Sequence, residues 1–80
     1  MDIKTFEYKM RDWEGFPIAK DLHFWKNVRK HPLMIQNLRK DEDFYFDTYQ
    51  EMYDFTLPDG RKVKNLIDRL TDDDLNLVLT

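Results

Sequence analysis

The chain has 80 residues and a mass of 9.9 kDa, enough for one domain over residues 1–80 and one core. Its 41% hydrophobic and 36% charged residues, with a net charge of −3, give the balance of a globular protein rather than a disordered or membrane-embedded one. It has no cysteine, no serine and only two glycines, Gly15 and Gly60, which excludes disulfide scaffolds, thiolate metal sites, cysteine and serine nucleophiles, and Gly-rich phosphate loops.

Residues 3–13 fit two patterns. Ile3, Phe6, Met10 and Trp13 sit at helical spacing, whereas Phe6, Tyr8 and Met10 alternate with Glu7, Lys9 and Arg11 as in a half-buried strand. The β-rich composition tips the reading toward strand. Glu14-Gly15-Phe16-Pro17 breaks that element.

Asp21 is placed as the N-cap of a helix over residues 22–30, with Leu22, Phe24, Trp25 and Val28 on one side and His23, Lys26 and Lys30 on the other. His31-Pro32 ends it, and Pro32 suits the first position of a second helix over about 32–40, with Met34, Ile35 and Leu38 as its buried stripe. Asp41, Glu42 and Asp43 then supply the negative charge favoured at the start of a third helix over 42–54. On its wheel Tyr45, Phe46, Tyr49, Met52 and Tyr53 share an arc of about 120°, opposite Asp43, Asp47, Gln50, Glu51 and Asp54. Phe44 falls on the acidic side.

Pro58-Asp59-Gly60 is a turn signal within 55–64, predicting a β-hairpin with a bulge at Gly60 and residues 3–10 as its third strand. Leu66, Ile67 and Leu70 suit a short helix. Thr71 followed by Asp72, Asp73 and Asp74 reads as a cap and acidic first turn for a last one. The expected fold is α+β: a single small domain of three to four short helices with a small antiparallel sheet built on the hairpin at 55–64.

Met1-Asp2-Ile3-Lys4 shows no basic segment leading into an apolar run, and no stretch approaches the roughly 18 apolar residues of a membrane span. A cytoplasmic protein without membrane contact is expected. The lone alanine, Ala19, with abundant Asp, Lys, Asn and aromatic residues, suits an AT-rich genome such as that of a low-GC bacterium or its phage.

Charge is unevenly distributed. Residues 1–40 hold nine Lys/Arg against five Asp/Glu, and residues 41–80 hold four against eleven. This asymmetry points to a charged partner, unless the halves neutralise each other on folding.

Metal chemistry finds little support. An EF-hand loop counted from Asp41 would need glycine where Phe46 stands and glutamate where Met52 stands, Asp72–Asp74 are explained by the helix start, and His23 and His31 lack a completing ligand. No cofactor and no catalytic constellation is expected, so a non-catalytic role is predicted.

Two binding readings remain. The first is an inhibitor or adaptor of a protein partner with a basic surface, using an acidic and aromatic face in which Asp43, Asp47, Glu51 and Asp54 frame Phe44 as an anchor. Six of the twelve residues Phe44–Phe55 are Phe or Tyr, and core packing must consume some of them. The second is a nucleic-acid-binding protein using Lys20, Lys26, Arg29, Lys30, Arg39 and Lys40 on the two basic helices, with Phe24 and Trp25 as stacking groups. The proline at the turn and the acidic whole favour the first.

Overall fold

The computed structural model describes the backbone of residues 1–79 and the side chains of residues 1–75. The chain runs α1 (Ile3–Lys9), a 3-10 turn (Met10–Asp12), β1 (Gly15–Ala19), β2 (Leu22–Val28), β3 (His31–Asn37), β4 (Glu42–Phe46), α2 (Tyr49–Tyr53), α3 (Val63–Asp68) and α4 (Asp72–Leu79). The strands form one antiparallel meander in the order β1-β2-β3-β4. The domain is α+β, with short helices and a small antiparallel sheet as expected, but the sheet lies elsewhere in the sequence.

At the N-terminus the helical spacing wins over the strand pattern. The Asp2 carboxylate accepts from Thr5 N at 2.7 Å and caps α1, while Phe6 and Met10 are fully buried on one side of it. The expected strand 3–10 is therefore a helix followed by a tight turn. The Met1 ammonium donates to the carbonyls of Ile67, Asp68 and Leu70, which ties α1 to the C-terminal end of α3.

The helices expected at 22–30 and 32–40 are β2 and β3. Their alternation places Leu22, Phe24, Leu33 and Ile35 in the core, and His23, Trp25, Met34 and Gln36 on the opposite face. Asp21 caps nothing; it sits in the β1–β2 turn, where its carboxylate takes two hydrogen bonds from the Arg61 guanidinium at 2.7 and 3.0 Å. Arg29 and Lys30 form the β2–β3 turn with φ of 50° and 71°, the left-handed pair that a two-residue hairpin needs. Pro32 is tolerated because β4 reaches along β3 only to Leu33, so no ladder partner awaits its missing N–H.

The single helix expected over 42–54 is also corrected. Residues 42–46 are a strand, and the α2 cap is Thr48, whose hydroxyl accepts from Glu51 N at 3.1 Å. Asp41 belongs to the β3–β4 turn at φ 54°, where buried Asn37 accepts from the backbone N–H groups of Arg39 and Lys40, each at 3.0 Å.

The turn at Pro58–Gly60 forms with Gly60 at φ 94°, but strand pairing there shrinks to one bridge, Thr56 to Lys62. It stands outside the sheet because Leu57, Val63, Leu66 and Ile67 turn into the helical layer instead. Thr71 and Asp74 cap α4 reciprocally: Asp74 N donates to Thr71 Oγ1 and Thr71 N to Asp74 Oδ2.

One core results. Phe6 meets Phe24 at 5.3 Å and Phe16 at 6.4 Å edge-on, and Met52, Val63, Ile67 and Leu75 complete the helical side. Among the described residues no helix is long and apolar enough to cross a membrane.

Candidate functional site

The helices cover one face of the sheet. The second face presents two rows of side chains across the strands: Gly15, Trp25, Met34 and Tyr45 in one, Pro17, His23, Gln36 and Asp43 in the other. Met34 is only 5% exposed yet stands apart from the core cluster, shielded by the flanking Trp25 and Tyr45. The buried helical side chains Phe6, Met52, Val63, Leu66, Ile67 and Leu75 all belong to the other side.

The face is held in a fixed arrangement. His23 and Trp25 stack with ring centroids 4.2 Å apart, and Trp25 Nε1 donates to Gln36 Oε1 at 3.1 Å. Burial lowers the His23 pKa, which favours the neutral imidazole. Tyr45 stacks on His31 at 4.6 Å, and Arg29 reaches the Tyr45 hydroxyl at 3.4 Å. In the second row, Asp43 Oδ1 is shut off from solvent and receives no hydrogen bond from the described residues. A shielded carboxylate oxygen without a donor is costly, and positive charge near the carboxylate offsets that cost.

The five predicted partner-binding residues are dispersed. Asp43 lies on the second face, whereas Phe44 points to the core side, half-buried, its ring 5.2 Å from that of Phe55. Asp47 and Glu51 come together at the start of α2, where Glu51 Oε2 accepts from Asp47 N, while Asp54 accepts from Gln50 beyond its end. No acidic helix face frames Phe44, because alternation along β4 sends Asp43 and Phe44 to opposite sides.

The six basic residues are dispersed too. Lys20, Arg39 and Lys40 sit in the turns at one end of the sheet, and Arg29 and Lys30 in the turn at the other. Lys26 points under the sheet, where its ammonium donates to the carbonyls of Met10 and Arg11 at 2.7 and 3.2 Å and completes the end of the N-terminal helix. Trp25 faces outward as a stacking group would, but Phe24 is wholly buried.

Helical periodicity hid His23, Trp25, Met34, Gln36 and Tyr45 as a set. The signal that finds them is the alternation of Leu22, Phe24 and Leu33, Ile35 with their neighbours, a period of two. Among the described residues no group of three or more His, Asp or Glu could hold a metal ion. The chain matches no protein-family model, no curated protein and no solved structure.

Proposed function

We propose that the protein is a non-catalytic cytoplasmic binding module, an inhibitor or adaptor, that occludes a protein partner with a basic surface through the second face of its sheet. The observation that carries this reading is the fixed layer of Trp25, His23, Met34 and Tyr45 beside the Asp43 carboxylate, whose Oδ1 has no donor among the described residues. Tryptophan, tyrosine and methionine are enriched where proteins bind one another, and a carboxylate at the border of the face selects a cationic counterpart. Nucleic acid is less favoured, since Asp43 repels phosphate and the cations divide between the two ends of the sheet.

The test is capture from extract of the native host by the full chain and by Trp25→Ala, Asp43→Lys and Tyr8→Ala variants, each first shown to be folded by circular dichroism. Tyr8 is 62% exposed on α1 and serves as the control. One dominant basic protein is expected with the parent and Tyr8→Ala, weakened about 30-fold by Trp25→Ala, the effect of losing an anchor of about 2 kcal/mol. Equal capture by all four, or recovery of nucleic acid alone, would sink the proposal.

A further inference from the structure

The two edges of the sheet are defended differently. β1 carries the exposed Pro17, and its ladder to β2 shifts register between Pro17 and Ala19, so a proline and an irregularity both blunt it. β4, at the other edge, has no proline and no lysine, and its five pairs with β3 run without a break. Alternate N–H and C=O groups of an edge strand point away from its neighbour and can pair with an added strand.

Acidic side chains surround this undefended edge. Asp41, Glu42, Asp43 and Asp47 fall within one stretch that contains no Lys or Arg. A second copy of the chain would bring the same acidic set against itself, with like charges gathered at both ends of the new pair. A basic strand would meet complementary charge. On the core side of the edge, the rings of Phe44 and Phe46 pack against Phe55 at 5.2 and 5.1 Å, and Phe44 remains partly exposed.

We infer that β4 accepts an extended basic segment of a protein partner as a fifth strand. The inference rests on the basic partner proposed above and adds where and how that partner is held. Strand alternation defines its pattern: the residue beside Asp43 is Lys or Arg, meeting the charge of its carboxylate, and residues beside Phe44 and Phe46 are apolar. Asp43 and Phe44 thus both serve recognition, on opposite faces of one strand.

The probe is a blocked Lys-Val-Lys-Val-Lys-Val peptide titrated into the isotope-labelled full chain, beside a version with proline for the central valine and a Glu-Val counterpart. The expected result is amide shifts concentrated at residues 42–46 with slowed hydrogen exchange there, binding at least tenfold weaker for the proline peptide, and none for Glu-Val. Asp43→Lys should weaken the Lys-Val peptide about tenfold. Equal binding of the proline peptide, no shift at millimolar peptide, or a dimer by light scattering that protects β4 without peptide would each overturn the inference. Shifts confined to His23, Trp25 and Met34 would also overturn it while leaving the docking face of the preceding proposal standing. Loss of that proposal is read separately, from capture that ignores Trp25→Ala.

Discussion

Gly15 lies directly beneath the indole of Trp25: a Cβ at Gly15 would come within 2.6 Å of Trp25 Cε3 and 3.0 Å of His23 Nε2. The glycine makes room for the stacked pair rather than for a turn. Gly15→Ala should displace both rings, lower stability by about 2 kcal/mol as overpacking does, and alter Trp25 fluorescence. An unchanged emission spectrum and melting temperature would show that the rings have another seat.

Gly60 is the opposite case. Nothing lies within 4 Å of a Cβ there, but its φ of 94° is one that L side chains rarely adopt. Gly60→Ala is expected to cost about 1 kcal/mol through backbone strain alone, read as a lowered urea midpoint with an unchanged slope.

Phe6 joins the helical layer to the sheet, meeting the rings of Phe16, Phe24 and Tyr49 edge-on at 6.4, 5.3 and 6.4 Å. Phe6→Ala should cost about 3–5 kcal/mol, comparable with the whole stability of a domain this small. The variant is expected to show no cooperative thermal transition by circular dichroism.

Stability should decline in two windows as pH falls. Burial depresses the His23 pKa, so the unfolded chain binds a proton first, and stability falls as pH drops below about 6.5 until the folded imidazole also titrates. Hydrogen bonds from Arg61 hold Asp21 and Asp59 below their usual values, so their stabilisation is complete above about pH 4 and lost as pH falls through the folded values. Denaturation midpoints followed against pH should lose the first decline in His23→Gln and most of the second in Arg61→Ala.

The β2–β3 turn holds two residues with side chains, Arg29 and Lys30, at positive φ. Replacing them together, Arg29→Asn with Lys30→Gly, should raise stability by about 1 kcal/mol, since these residues accept the left-handed region. A lowered melting temperature would mean that the contact of Arg29 with Tyr45 outweighs the backbone strain.

That same turn explains why the sheet was hard to read. An Asn-Gly pair at 29–30 would have announced a hairpin, whereas Arg29-Lys30 announces nothing, and Leu22, Trp25 and Val28 happen also to match a helical face. The caps and turns set by chemistry within a few residues were legible: Thr71 with Asp74, and Gly60 at the Pro58 turn. Asp21 was legible only as a carboxylate seeking a donor. That its donor is Arg61 depends on the fold bringing the β1–β2 turn to the Asp59 turn. For the candidate site, the acid and aromatic content of residues 43–47 was visible, but its division between two faces required knowing that residues 42–46 are extended.

The meander also keeps the loop-closure cost of the sheet low. Every strand pairs with its sequence neighbour, so three hairpins can close through short loops with little entropic loss, and the chain needs no crossover to build its sheet. The ammonium contacts of the N-terminal helix stand at the other extreme: they span 66 to 69 residues and close the longest loops of the fold described above. An edge rich in carboxylates has a second consequence: like charge disfavours strand addition between identical chains.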